Sequence, residues 1–329
     1  MALFNKVKMA TFVAAAALAV FPVLGAKAEY PTKAVTVVSP YGPGGAADLA
    51  ARTLAATADK HLGQSIAVVN KTGGSGVVGS MSVVKAKTDG YTLLLSRVGS
   101  QAAIPALNKK TPYKWDEYTF LGLLELNPFA LTVNVDSPYK TFADLEKAIK
   151  GGAKLSYSSA GVGALQHLGV VVLLDQMGVD PEQLKHVPYQ GGGKAGAAVV
   201  GGHVDIFFQN LSGVIGHISG GKLRALAVTT DERSPRAPDV PSFKELGYPK
   251  MNVILGWSGL WGPPGLPDDI VAKWVNVLAK LKQDKKWIEA TEKLGSFPQI
   301  LPPAETKEFV KTQYEVFDDV AGRLGLTIK

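Results

Sequence analysis

From residue 34 to about residue 230 the sequence alternates short apolar runs with stretches of helical spacing, and this alternation restricts the fold more than any other feature. "AVTVVS" leads through a Pro- and Gly-rich loop into a helix from about Asp48 to His61. "SIAVVN" (65–70), a Gly-rich turn, a helix across "VVGSMSVVKAK" and the strand "YTLLLS" (91–96) follow. A second series begins near residue 129 with the strand "ALTVN", the helix "TFADLEKAIK" (141–150) and the strand "KLSYSS" (154–159). It continues as the helix "ALQHLGVVVLLDQMG", the strand "KHVPY", the helix "KAGAAVVGG" and the strands "VDIFFQN" and "LRALAVTT". "DDIVAKWVNVLAKLKQ" and "PAETKEFVKTQYEVFDDVAGRLG" are helical by their apolar spacing. Strands alternating with helices predict an α/β fold with largely parallel sheets. The two series predict two lobes, 29–128 plus 252–329 and 129–251, with a cleft between them suited to a small molecule.

Residues 1–28 read differently. Lys6 and Lys8, an uncharged stretch from Met9 to Ala26 and the small-x-small sequence Ala26-Lys27-Ala28 predict a secretory signal peptide cleaved after Ala28. Pro22 and Gly25 interrupt the apolar stretch, against a spanning helix of about 20 residues. The formal net charge of +7 includes three lysines of this leader. The remaining excess is scattered, without the clustered basic stripe of a nucleic-acid footprint. Without a single Cys, the chain has no disulfide, thiolate metal site or thiol nucleophile. The expected product is an exported, water-soluble monomer.

Two loops carry the strongest chemical signal. "SPYGPGGAADLAAR" (39–52) joins a strand to a helix through Gly42, Gly44 and Gly45, so free backbone N–H groups point beyond the strand end and the helix dipole favours an anion there. Asp48 fits either of two roles: cap and i+4 partner of Arg52, or a group facing the ligand. "SYSSAGVGALQHL" (156–168) repeats the design with Ser158, Ser159, Gly161 and Gly163. One such loop in each lobe would clamp a carboxylate from both sides. Arg97 closes its strand at the end where ligands bind in open α/β sheets; it is either a solvated loop residue or a bidentate carboxylate fork.

Other motifs fail on their chemistry. "GSGVVG" (74–79) matches G-x-G-x-x-G, but no acid lies between Asp89 and Asp116 to take a ribose. "GHISGGKL" (216–223) has Leu223 where a phosphate loop needs Ser or Thr, and a strand follows. No G-x-S-x-G occurs, and the five histidines show no metal spacing. Nothing forms a catalytic constellation, so a binding protein without cofactor is expected ahead of an exported enzyme acting on a carboxylated substrate.

The leader, "YPTKAVTVVSPYGPGGAADLAAR", "DGYTLLL", "HVPYQGGG", "GKLRALAVTTDERSPRAPDVPSFKELGY" and "GWSGLWGPPGLP" together resemble the substrate-binding proteins of tripartite tricarboxylate transporters, the TctC or Bug family, over essentially the whole mature chain. The resemblance implies a periplasmic protein of the type II-like binding-protein fold that closes by hinge motion on a small carboxylate and docks on a membrane permease. A sensory variant presenting ligand to a receptor has the same sequence signature. By the same resemblance Tyr41, Gly42, Gly44, Gly45, Ala46 and Asp48 of one loop, and Ser158, Ser159, Gly161 and Gly163 of the other, would grip one carboxylate. Ala47 and Ala164 stand where relatives often carry polar side chains, and Arg97 where many have a small polar residue. These departures suggest a second carboxylate on the ligand and an apolar middle, which Phe129 would face; terephthalate and a medium-length aliphatic diacid both fit.

Overall fold

A computed structural model of the chain describes residues 29–324; the expected signal peptide lies outside the described residues. In chain order the elements are β1 (Val35–Ser39), α1 (Ala46–Leu62), β2 (Ile66–Asn70), α2 (Val77–Val84) and β3 (Thr92–Arg97). A π-helical turn (Gly99–Ala103), α3 (Ile104–Leu107), β4 (Thr119–Asn127) and β5 (Phe129–Asn134) follow. Then come α4 (Phe142–Lys150), β6 (Ser156–Ser159), α5 (Leu165–Met177), β7 (Lys185–Pro188), α6 (Gly192–Val200), β8 (Ile206–Asn210), α7 (Leu211–Ser219) and β9 (Leu223–Val228). The chain ends with β10 (Gly256–Gly262), α8 (Asp268–Leu281), α9 (Lys285–Lys293), β11 (Phe297–Leu301) and α10 (Pro303–Leu324).

The strands form two sheets, in the orders β11-β4-β10-β3-β1-β2 and β7-β6-β8-β5-β9. Both sheets are laid out alike. β1 pairs in parallel with β2 and β3, and β6 with β7 and β8. Beside each parallel trio runs one antiparallel strand, β10 against β3 and β5 against β8. The sheets are therefore mixed rather than largely parallel. β4, β10 and β11 were not expected from sequence: "GWSGLWG" has neither alternation nor β-branched residues, and "FPQIL" carries a Pro tolerated on an edge strand. α7, hidden in "LSGVIGHIS", was also unforeseen.

Each layer follows from its side chains. Val35, Val37, Leu93, Leu95 and Leu260 are fully buried on one face of the first sheet, where Leu54 and Ala58 of α1 and Trp274, Leu278 and Leu281 of α8 cover them. In the second sheet Phe207 packs with Val199 and Val214, and Phe208 with Phe129 and Phe243. A Cβ added to Gly169 of α5 would lie 2.0 Å from the Phe208 ring, so this helix approaches its sheet closely because that residue has no side chain. The chain passes from β4 to β5 across Pro128 and returns ahead of β10, so it crosses between the sheets twice.

Candidate functional site

Five helical segments begin around one small cavity between the sheets. Gly45, Ala46 and Ala47 at the start of α1, Val98 and Gly99 at the π-helical turn, and Leu165 and Gln166 at the start of α5 line it; so do Gly192 at the start of α6 and Gln209 and Asn210 just before α7. None of these five starts carries a side-chain cap. Thr141 and Asp144 form a capping box on α4 and Asp284 caps α9, whereas α2 and α8 also start without a side-chain cap; what distinguishes the five is that they meet at one cavity. First-turn N–H groups have no intrahelical acceptor, and the positive ends of the dipoles add in the cavity. The local sequence explains the arrangement. Gly at 45, 191 and 192 and Ala at 46, 47 and 164 leave the N–H groups uncovered, and Gly191 adopts φ +140°.

The cavity measures about 30 Å³, room for one or two waters. Tyr41, Phe129, Ala160 and Leu165 supply its apolar wall. The Tyr41 hydroxyl donates to the Ser75 carbonyl at 2.8 Å, and burial pushes its pKa up to about 12, with Arg97 opposing. Gln166 Nε2 donates to Gln209 Oε1 at 2.8 Å, which also takes the Asn210 N–H at 2.8 Å. This chain of amides leads to Arg97.

Arg97, 4 % exposed, lies where the sheets meet. Nη2 donates to Asn210 Oδ1 at 2.9 Å, Nη1 donates to Ser258 Oγ, and Nη1 stands 3.6 Å from Glu125 Oε1. Ser258 donates onward to Glu125 at 2.6 Å, and Ser212 to Asn127 Oδ1 at 2.9 Å. Burial lowers the Arg97 pKa while Glu125 opposes; a guanidinium keeps its charge in such a setting. Glu125, 2 % exposed, thus offsets the formal charge that Arg97 brings to the cavity wall.

Of the residues singled out from sequence, Tyr41, Gly45, Ala46, Arg97 and Phe129 line the cavity. The others sit around it. Gly42 meets the opposite sheet's loop, where an added Cβ would lie 2.9 Å from the Gln190 carbonyl oxygen. The Asp48 carboxylate accepts from Gly44 N–H, Arg52 Nε and Asn70 Nδ2, each at 3.0 Å. Ser158 donates to the Ala195 carbonyl at 3.1 Å. Ser159 pairs with His186 Nε2 at 2.6 Å and with the Gly161 backbone. Gly163 N–H donates to His167 Nδ1 at 3.1 Å, and Ala164 packs in the apolar cluster with Tyr41 and Ala47. Gly161 lines an outer cavity of about 640 Å³ with Ser75, Gln190 and Lys194. Across its mouth Ser75 Oγ donates to the Val162 carbonyl at 2.6 Å, so the edges of the cleft touch.

Sequence reasoning overlooked the α6 start, the π-helical turn, Gln166, Gln209, Asn210 and the partners of Arg97. The first had a legible signal: "YQGGGKAG" also leads from a strand through glycines into a helix. Among the described residues no group of three or more His, Cys, Asp or Glu is placed to hold a metal, and no helix is long and apolar enough to cross a membrane.

Comparison with known proteins agrees with this fold. A family model described as the tripartite tricarboxylate transporter family receptor matches residues 50–322. The structure of periplasmic binding protein BugD is similar at 31% identity and TM-score 0.85, over 91% of this chain and 100% of BugD. MatC from Rhodopseudomonas palustris with bound malate is similar at 30% identity and TM-score 0.81, over 88% of this chain and 99% of MatC. An R. palustris protein with adipate, Rpa4515, is similar at 27% identity and TM-score 0.85, over 91% of this chain and 99% of its own. The two mixed sheets thus have the fold of a periplasmic binding protein, and the chain belongs to the tripartite tricarboxylate transporter receptor family.

Proposed function

We propose that this protein is a periplasmic solute-binding protein that captures a small dicarboxylate in the cavity between its sheets, closes on it, and delivers it to a membrane permease. The observation that carries this reading is the convergence of five uncapped helical starts. One carboxylate of the ligand accepts from the N–H groups at Ala46, Ala47, Gln166 and Gly192. The Tyr41, Phe129 and Leu165 side chains flank its apolar middle. Arg97, Asn210 and Gln209 face its second polar end. Malate in MatC and adipate in Rpa4515 are dicarboxylates of different length, which supports the class and leaves the spacer to the cavity wall. An aromatic ring such as that of terephthalate would rest on Phe129. A ligand of this size exceeds the cavity, so the touching edges must part to admit it, as in hinge closure.

A thermal-shift panel of malate, adipate, terephthalate and benzoate on the purified protein tests the proposal. A ligand at about 100 times its Kd adds about 2.7 kcal/mol, a shift of several degrees. Dicarboxylates should stabilise and benzoate should not. Equal stabilisation by benzoate would remove the second carboxylate from the reading. No shift with any dicarboxylate would reject it. Ligand recovered unchanged after long incubation separates capture from turnover.

A further inference from the structure

Behind the candidate site lies a larger groove of about 840 Å³, walled by α1, α7 and α9. It belongs to both halves of the molecule, since α7 follows β8 of the second sheet while α1 follows β1 of the first. Its floor is apolar, with Leu49, Ile215 and Leu294, and its rim carries Arg52, His217, Arg236, Lys286 and Lys293. Among the described residues, no Asp or Glu lines it. Arg52 already has Asp48 as its partner. The side chains of Lys286 and Lys293 make no ion pair with another described residue, and both residues are exposed. Among the described residues, the Arg236 guanidinium reaches only the Lys293 carbonyl, at 3.5 Å. The α7 wall is bare at Gly216, where an added Cβ would have nothing within 4 Å.

We infer that this groove is a docking surface for an acidic segment of a partner protein. An apolar floor under a rim of one sign selects a chain with apolar side chains below and carboxylates at its edges. The bare helix surface at Gly216 lets a peptide backbone approach, which a lipid headgroup has no need of. The groove also abuts the candidate site. Gly44 lines the groove and Gly45 the cavity; Ser212 lines the groove while its hydroxyl holds Asn127 of the Arg97 network. A partner seated here spans both sheets, and its fit depends on how they are closed. The inference holds whatever the ligand in the cavity.

The test is fluorescence anisotropy with a labelled synthetic peptide of glutamate and leucine, compared with its lysine and leucine counterpart. The acidic peptide should bind saturably and weaken with salt. Lys286→Glu with Lys293→Glu should weaken it about tenfold or more, that is by about 1.4 kcal/mol. Gly216→Leu, which changes no charge, should weaken it as well. Lys110→Glu with Lys244→Glu makes the same change of charge at exposed positions outside the groove and should leave binding within about twofold, a fraction of the tenfold scale. The charge variants are surface changes and should keep the parent unfolding midpoint, and Gly216→Leu, inside α7, should keep or raise it. Equal losses in the two double variants, or none with Gly216→Leu, would overturn the groove. Binding to phosphatidylglycerol vesicles through Lys286 and Lys293, with no binding of the peptide, would overturn the protein partner in favour of a membrane surface.

Discussion

Asp48 shows how a carboxylate can stand one turn from the proposed anion site without opposing it. Its two oxygens take three donors, so its charge is spent on the loop that precedes α1. Burial pushes its pKa up, but the Arg52 guanidinium, the Gly44 N–H and the Asn70 amide outweigh burial and hold it below the usual range. Asp48→Ala should cost about 1–3 kcal/mol in urea unfolding. A carboxyl lowered in the folded state stabilises above its unfolded pKa and loses that effect as pH falls through the folded value. The gap between parent and Asp48→Ala should therefore be full at neutral pH and narrow in acid; a gap constant with pH would deny the carboxylate this role. Arg97 calls for a different comparison. Arg97→Met alone strands Glu125 in the interior and should cost about 3–5 kcal/mol. Arg97→Met with Glu125→Gln should recover much of that loss, and only the double variant reports fairly on ligand binding. If the double variant unfolds as readily as the single, the ion pair is not what Arg97 supplies to stability.

At the scale of elements, the strand–glycine–helix pattern was legible wherever a good helix former follows the glycines, as in "GGAADLAAR". At "GGGKAG" the flanking strand and helix were read but the glycines between them were not taken as a part of the site, and "RVGSQAA" was not read at all, because its π-helical turn has no propensity signature. The Arg97 network was beyond reach for another reason: Arg97, Asn210 and Ser258 come from three separate strands, and only the pairing of β3 with β10 and the meeting of the sheets bring them together. The second loop rests on a stack that the sequence also concealed. His167 and His186 lie with ring centroids 4.2 Å apart and planes at 9°, and Tyr157 stacks on His186 at 4.9 Å. Burial pushes both histidines down to about 4, and for His186 the neighbouring His167 adds to the effect. Because the unfolded chain takes up these protons near pH 6.5 and the folded one only near pH 4, stability should fall as pH drops through that window. Urea midpoints measured from pH 7 to pH 4 should decline less steeply for His167→Gln with His186→Gln than for the parent. Parallel declines would place the acid sensitivity elsewhere.

For the whole molecule, the likeness of the two sheets explains how the candidate anion site is assembled between them: each presents strand ends and the helix starts that follow them to the same space. The alternation of strands and helices was enough to read this architecture, but β10 was not legible as a strand and β5, read as the strand "ALTVN", was not legible as antiparallel, since direction is set by where the chain crosses between the sheets. Closure can be tested at the touching edge. A Cβ built on Gly161 lies 3.3 Å from that of Ser75, close to the separation a disulfide needs, and the chain has no Cys to compete. Gly161 has φ +137°, so the substitution costs about 1–3 kcal/mol of strain. Ser75→Cys with Gly161→Cys, oxidised before ligand is added, should slow uptake strongly and recover on reduction. Unchanged uptake by the oxidised protein would mean that solute enters without parting this edge. The uncapped helix starts have one more consequence. Backbone amides have no proton to gain, and the stacked histidines stay neutral to about pH 4. The acid limit of capture is then written in the cargo: the protein lets go where the solute's own carboxyls lose their charge, and a weaker acid is held over a narrower range of environments than a stronger one.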